Sequence, residues 1–143
     1  MDGNGHTLDL GATSENAACG SSQTDKYGVY LDAKTNIVVK NFTIKNFCRG
    51  MDFDNSISNS ILDNTITNNY SSGIYIGNGN NNLISNNVFT DHGYGGLTIN
   101  YSIDDIISNN VFTDNGIANT NHYVNLKINS SEGFTITGNT VSS

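Results

Sequence analysis

Two aspartates with a fixed spacing are the first residues that suggest a chemistry. Asp91 and Asp114 each follow a Phe-Thr pair, and the second copy lies 23 residues after the first. Glycoside hydrolysis needs two carboxyl groups about 5 to 10 Å apart, and equivalent positions on adjacent repeats of a stacked fold lie about 5 Å apart. The pair is a candidate for that chemistry, although repetition of the phrase alone produces the same spacing.

Aromatic and polar side chains occur at the same point of the repeat. Tyrosine rings can stack on sugar faces, while Asp and His side chains can hydrogen-bond hydroxyl groups. The candidate ligand-binding residues are Arg49, Tyr70, Asp91, His92, Tyr94, Asp114, His122 and Tyr123. Of these, Asp91, Asp114, His92 and His122 are also the candidates for catalysis or for holding a metal. The alternative interpretation is an ordinary polar loop edge.

A second candidate surface is the outer face of the sheet that follows each repeated glycine, where one column contains Tyr30, Asp52, Tyr75, Thr98 and Lys127. Three aspartates on this face are candidate calcium ligands. Asp32, Asp52 and Asp54 are predicted on neighbouring coils, and carboxylate oxygens are ligands that Ca²⁺ prefers. Copper finds little support, because the 3 histidines, 2 methionines and 2 cysteines are dispersed and form no cluster of soft ligands.

A repeated phrase indicates the elements that must position these residues. Its copies surround Asn64, Asn87, Asn110 and Asn139, spaced by 23, 23 and 29 residues, and a looser copy surrounds Phe42. A second phrase begins at Gly28, Gly50, Gly73, Gly96 and Asn125. In all five copies, eight residues separate the last apolar residue of the second phrase from the first of the asparagine phrase. Such a fixed period is typical of a solenoid.

Apolar residues alternate with polar ones within each phrase, which predicts short strands rather than helices. We therefore predict an all-β fold, a right-handed single-stranded parallel β-helix of about six coils with roughly 23 residues in each. It is expected to form one domain over residues 1–143, with loop insertions at residues 11–27 and 116–122. Columns of Ile, Val, Leu and Phe are expected to stack inside it.

The asparagine column is predicted to be structural. Asn64, Asn87, Asn110 and Asn139 lie at a turn between two strands, where stacked amides can bond one another and the backbone groups that a tight corner leaves unpaired. With 25 Asn, 15 Gly and no proline in 143 residues, the corners are expected to use residues that tolerate positive φ.

The two cysteines can be placed by the same repeat. If Leu10 belongs to the Ile44 column, Cys19 lies in an insertion one coil before Cys48. The two sulfurs are then close enough for a disulfide, which would indicate an extracytoplasmic protein. Two unrelated free thiols are the alternative.

Charge and hydropathy exclude some classes of protein. A net charge of -7 with only 6 Lys and Arg residues argues against nucleic-acid binding, which needs clustered positive charge. No apolar run approaches the length of a membrane span. No signal peptide precedes Asp2, and an export signal upstream of Met1 remains compatible with the sequence.

The chain resembles the right-handed parallel β-helix repeat proteins of the pectate-lyase-like superfamily, and most of all their NosD-type, carbohydrate-binding and sugar-hydrolase branch. The resemblance rests on the opening phrase Asp2-Gly3-Asn4-Gly5-His6-Thr7 and on the asparagine phrases. It implies an exported or cell-surface protein that handles polysaccharide. Pectate lyases of this superfamily combine Ca²⁺ with a basic residue, but Lys127 is roughly 14 Å from the aspartate trio by strand spacing.

The expected function is a non-catalytic module that binds polysaccharide or forms a surface structure. The alternatives are a fragment of a carbohydrate-active enzyme, namely a lyase, epimerase or glycoside hydrolase, and a purely structural repeat. Val141 is still in step with the repeat two residues before the end, and an uncovered coil exposes core and strand edges. Copies of the chain or flanking domains are therefore expected to cover the coil ends.

Overall fold

Three parallel β-sheets wind into a solenoid with about 23 residues per turn. The computed structural model describes residues 1–11, 19, 26–116 and 124–142. No helix occurs in these ranges, and hence none long and apolar enough to cross a membrane. The predicted parallel β-helix is confirmed, with five or six strands stacked in each sheet.

Each sheet takes one strand from each coil. Sheet 1 contains β1 (Thr7–Asp9), β4 (Thr43–Lys45), β7 (Thr65–Thr67), β10 (Val88–Thr90), β13 (Val111–Thr113) and β16 (Thr140–Ser142). Sheet 2 has the longest strands, β2 (Tyr27–Asp32), β5 (Arg49–Asp54), β8 (Ser72–Gly77), β11 (Gly95–Asn100) and β14 (Leu126–Asn129). Sheet 3 contains β3 (Val38–Lys40), β6 (Ser60–Leu62), β9 (Leu83–Ser85), β12 (Ile106–Ser108) and β15 (Thr135–Thr137).

The predicted core columns are present in register. Ile61, Ile84 and Ile107 stack in sheet 3 and are fully buried. In sheet 1, the rings of Phe89 and Phe112 lie parallel with centroids 4.7 Å apart. Apolar burial between neighbouring coils therefore stabilises the chain, as in other solenoids.

The first coil differs from the prediction by two residues. Leu8, and not Leu10, pairs with Ile44, and Leu10 is 38% exposed. Both leucines fit a period of two, but strand β1 ends at Asp9, so Leu10 already belongs to the corner. The predicted disulfide is nevertheless present between Cys19 and Cys48, whose Cα atoms are 4.9 Å apart.

Each coil turns at four corners, and a residue with positive φ lies at every one. Two of these columns contain Ala33, Asn55, Asn78, Tyr101 and Ser130, and Asn36, Ser58, Asn81, Asp104 and Gly133. The other two contain Asn41, Asp63, Asn86, Asn109 and Gly138, and Asn46, Asn68, Asp91 and Asp114. Asn, Asp and Gly adopt this left-handed backbone at low cost, which explains much of the unusual composition.

The residue after each such corner points inward. In the predicted ladder, the Asn87 N–H donates to Asn110 Oδ1 at 2.9 Å, and Asn87 Nδ2 donates to the Ile61 carbonyl at 2.9 Å. The same pattern repeats for Asn64 and Asn110. The structural role of the asparagine column is thus confirmed. Two further ladders follow other corners, formed by Asn59, Asn82 and Asp105, and by Asn69, His92 and Asn115.

Candidate functional site

The outer face of sheet 2 carries a row of aromatic and charged side chains. Tyr30, Asp52, Tyr75, Thr98 and Lys127 occupy one column of paired positions on five successive strands. Strands of six residues make this the widest face of the solenoid. The first residues of β2 and β5 also reach this surface, since the Tyr27 ring lies 5.5 Å from the Tyr30 ring between centroids and Arg49 contacts Asp52.

Arg49 and Asp52 form an ion pair at the centre of this face. Arg49 Nη1 lies 2.5 Å from Asp52 Oδ2. The guanidinium carbon is 4.0 Å from the centroid of the Tyr75 ring and 5.9 Å from that of Tyr27. Stacking on one ring and hydrogen bonding to a carboxylate fix the plane of the guanidinium.

Burial and neighbouring charge change the acidities around the pair. Burial raises the pKa of Asp52, and the hydrogen bond and charge of Arg49 oppose this rise. Desolvation also raises the pKa of Tyr27, with the Asp52 charge as the next cause. The pKa of Tyr30 is raised by desolvation and then by Asp32, Asp52 and Asp54. The Tyr30 end of the face therefore has a negative potential.

Two shallow depressions along this face together form what we call the sheet-2 groove. One has a volume of about 380 Å³ and the other about 490 Å³, and Arg49 and Tyr75 line both. The first also contains Tyr27, Tyr30, Asp52, Asp54 and Asn78. The second also contains Ser71, Ser72, Tyr94, Thr98, Val124 and Lys127. Exposed tyrosines beside polar groups are suited to bind a saccharide by stacking and hydrogen bonding.

Part of the predicted ligand-binding set joins this groove. Arg49 and Tyr94 line it, and the Tyr94 ring contacts that of Tyr70 edge to face with centroids 6.0 Å apart. His122 and Tyr123, which were predicted beside them, lie outside the described residues. Sequence reasoning missed Tyr27 and Asn78, and the only signal for Tyr27 was its position opposite Arg49 in the strand register.

Asp91 and Asp114 have a structural explanation. Both are exposed corner residues, with φ of 60° and 52°, in the column that contains Asn at positions 46 and 68. Thr90 Oγ1 donates to Asp91 Oδ2 at 3.0 Å. A left-handed corner favours Asp or Asn, so the recurrence of the pair follows from the backbone.

The placement of His92 requires a correction. Its side chain is fully buried, with Nδ1 accepting from the Asn69 N–H at 3.2 Å and Nε2 donating to the Ile66 carbonyl at 3.1 Å. Corners interrupt the alternation of inward and outward residues, so the residue after Asp91 points into the core rather than onto the surface. His92 is therefore a ladder residue and not a surface ligand.

The predicted calcium trio is divided between different environments. The Asp52 carboxylate pairs with Arg49, whereas Asp32 is exposed and accepts from Asn55 Nδ2 at 3.3 Å. Asp54 lies next to Asp32 in the strand register. Over residues 1–11, 19, 26–116 and 124–142, no group of three or more His, Cys, Asp or Glu side chains is placed to hold a metal ion.

Comparison with known proteins gives a family and a fold. A family model described as periplasmic copper-binding protein (NosD) matches residues 3–143. No curated protein matches the chain significantly. The enzymatically active domain of tailspike protein 2 from bacteriophage CBA120 is similar over 81% of this chain and 18% of its own, with a TM-score of 0.74 and 21% identity.

A second solved structure is that of a double mutant of the periplasmic alginate epimerase AlgG. It is similar over 82% of this chain and 36% of its own, with a TM-score of 0.60 and 20% identity. The chain thus spans about a fifth of the tailspike domain and about a third of the epimerase. At this level of identity both likenesses concern the fold alone.

Proposed function

The chain belongs to the NosD family, and from this membership and its surface geometry we propose that it is an extracytoplasmic β-solenoid that binds polysaccharide in the sheet-2 groove. One observation carries the proposal. Tyr30 and Tyr75 lie on the same column, on β2 and β8, with the Arg49–Asp52 ion pair of β5 between these strands. Stacking surfaces on successive coils can follow an extended sugar chain.

Two observations support the extracytoplasmic location. The Cys19–Cys48 disulfide favours an oxidising compartment. The NosD family is described as periplasmic, and the alginate epimerase with a similar fold is also periplasmic. We therefore propose that the chain acts outside the cytoplasm.

The described residues do not fit the copper of the family description. Cys19 and Cys48 are joined in a disulfide, Met51 is fully buried in the core, and both ring nitrogens of His92 are hydrogen-bonded in its ladder. His6 lies in another part of the fold, where Nδ1 contacts the Gly3 carbonyl. These groups form no soft-ligand cluster, so no copper role is derived for them.

Catalysis is the alternative, and the predicted catalytic set gives it no support among the described residues. His92 is buried in a ladder, while Asp91 and Asp114 are explained by their corners. We therefore favour binding without turnover.

The test is a glycan-array screen followed by calorimetry on each hit, with incubation of the hits to detect cleavage products. Replacing both Tyr30 and Tyr75 by Ala is expected to weaken binding at least about tenfold, since each aromatic contact contributes about 1 kcal/mol. Tyr101→Ala is the matched control, because Tyr101 is 66% exposed and lies outside both depressions. Cleavage products would favour the enzyme, and unchanged affinity in the double variant would exclude this groove.

A further inference from the structure

We propose that one of the two depressions of the sheet-2 groove, the one lined by Tyr30, Asp52 and Asp54, takes neutral sugar units and discriminates against polyuronates. The inference rests on the proposed saccharide binding and concerns the class of saccharide. It follows from how charge is distributed among Arg49, Asp52, Asp54 and Lys127.

Arg49 does not present a free positive charge to a ligand. Its guanidinium is held 2.5 Å from Asp52 and packed against Tyr75, and its side chain is only 22% exposed. A uronate carboxylate would have to compete with the Asp52 carboxylate, which is already fixed in the ideal position. Asp52 is thus a positioning residue that also neutralises Arg49.

Asp54 adds a negative charge to the same depression. It lines the depression beside Tyr30 and Arg49, and it forms no ion pair within the part of the chain that the structure describes. Asp32 lies directly opposite Asp54 on the neighbouring strand. The charges lining this depression, Arg49, Asp52 and Asp54, sum to -1.

Lys127 lines the other depression of the groove and is too far from Asp54 to compensate for this charge. It belongs to β14, three strands away from β5, which corresponds to about 14 Å at the usual strand spacing. That distance exceeds the Debye length of about 8 Å at physiological ionic strength. A polyuronate carries one carboxylate on every sugar, so a polyuronate that occupies the depression beside Tyr30 places a carboxylate near Asp54 in any register.

A neutral sugar meets no such repulsion. Its hydroxyl groups can donate to the Asp54 carboxylate and accept from the remaining Arg49 N–H groups, while the ring packs on Tyr30 or Tyr75. Tyr30 is 54% exposed and therefore accessible for such stacking. The site is thus built to read uncharged hydroxyl patterns.

The experiment compares soluble neutral polysaccharides, namely a β-glucan and a galactomannan, with alginate and polygalacturonate. Binding to each is measured by calorimetry at physiological ionic strength, about 0.15 M, where the charge of Lys127 is screened, with EDTA present so that no divalent ion bridges two carboxylates. Asp54→Asn removes the charge at constant shape. Asp63→Asn is the matched control, since Asp63 is an exposed corner residue outside both depressions.

The wild-type chain is expected to bind at least one neutral polymer and to bind the polyuronates at least about tenfold more weakly, as one nearby like charge costs about 1 kcal/mol or more. Asp54→Asn is expected to reduce this difference in affinity between neutral polymers and polyuronates, and Asp63→Asn is expected to leave it unchanged. Wild-type binding of a polyuronate as tight as that of neutral polymers overturns this inference alone. An unchanged affinity difference in Asp54→Asn also overturns the inference. Failure of every saccharide to bind overturns the proposed function as well.

Discussion

Individual ladder residues determine how this solenoid responds to pH, and His92 gives the clearest case. Only the neutral tautomer with a proton on Nε2 satisfies both of its hydrogen bonds, to the Asn69 N–H and the Ile66 carbonyl. Burial lowers the pKa of His92 to about 3, whereas a histidine in an unfolded chain titrates near 6.5. Between these values the unfolded state binds a proton that the folded state does not.

We therefore expect His92 to reduce the free energy of unfolding as pH falls from about 6.5 towards 3, by up to about 1.4 kcal/mol per pH unit. His92→Asn restores the residue type of Asn69 and Asn115 in this ladder and should remove that component. His92→Ala leaves two buried backbone groups unpaired and should cost about 2–4 kcal/mol at pH 7. Urea unfolding at pH 7, 5 and 4 measures both effects, and an equal pH slope in the wild type and His92→Asn would contradict the assignment.

Asp105 occupies an asparagine position in another ladder. Asn82 donates to its Oδ1 through N–H at 2.7 Å and through Nδ2 at 3.2 Å. The Ser102 hydroxyl lies 2.5 Å from Asp105 Oδ2 and also contacts the Gly79 carbonyl. The Ser102 hydroxyl has one proton, and it can donate that proton to only one of these two oxygens. If it donates to the Gly79 carbonyl, Asp105 must be protonated and donate to the Ser102 oxygen for both contacts to be hydrogen bonds.

Burial raises the pKa of Asp105 above its ordinary value, in agreement with this proton count. Because the folded state holds the proton more tightly, the stability that this acid contributes is present below about pH 4 and is lost as pH rises through its folded pKa. Asp105→Asn should therefore stabilise the chain at pH 7 by about 1–2 kcal/mol and have little effect below pH 4. Asp104→Asn, at the neighbouring exposed corner, is the control, and equal stabilisation by both variants would exclude the explanation.

The sequence predicted that these corners are polar but not which side chains point inward. Asp91 and His92 are adjacent, and a surface cluster was the natural hypothesis for an Asp-His pair. Alignment of Asn69, His92 and Asn115 as one column was the available signal, since a 23-residue repeat places these residues at equivalent positions. The burial of each column is decided by backbone conformation at the corner, which period-two alternation does not describe.

At the scale of the strands, the glycine near the start of four of the five sheet-2 strands has a steric cause. A Cβ at Gly73 would lie 2.5 Å from His92 Nε2 and 2.6 Å from the Gly96 carbonyl oxygen. The next coil therefore approaches too closely for any side chain. The sequence identified the glycine phrase as a strand, and the structure supplies the reason for the glycine.

Gly73→Ala is expected to lower the free energy of unfolding by about 2–4 kcal/mol, because a rigid carbonyl and a buried ring must both move. Gly95→Ala is the matched control in the same sheet, since its nearest obstacle is the Val124 carbonyl oxygen at 3.0 Å. Gly95→Ala should therefore lower the free energy of unfolding clearly less than Gly73→Ala does. Denaturant unfolding of both variants measures the difference, and a tolerated Gly73→Ala would show that the coils can separate without loss.

Strand register was predictable where several copies of the repeat agree. The constant spacing of eight residues fixed sheets 2 and 3 relative to each other, and all of their paired positions follow it. The error at Leu8 and Leu10 arose in the first coil, where a three-residue strand precedes a long connection and no second phrase checks the register. The groove was predictable only in part, since the contact of Arg49 with Tyr75 depends on side-chain conformation.

At the scale of the whole molecule, neighbouring coils cover the apolar columns of the inner coils, but the apolar residues of the last described coil are exposed. Ile136 and Val141 are 51% and 59% exposed, whereas Ile107 and Phe112, which precede them in the same columns, are fully buried. Burying an aliphatic side chain of this size contributes about 1.5–3 kcal/mol. A further layer of β-structure on this surface would therefore be strongly favoured.

From this exposure we expect the 143-residue chain to self-associate through its last coil. Lysine at both Ile136 and Val141 would place two charges on the apolar surface. Burying these charges in an interface between two chains would cost several kcal/mol. The double variant should therefore sediment as a monomer at concentrations where the wild type does not. Val111→Lys is the control, because Val111 is 37% exposed on the outer face of sheet 1, away from the open columns. Sedimentation velocity over a hundredfold concentration range distinguishes the three proteins. A wild-type chain that remains monomeric throughout, with its terminal amides protected from hydrogen exchange, would show that the last coil is stable uncovered and that the exposed apolar columns do not drive assembly.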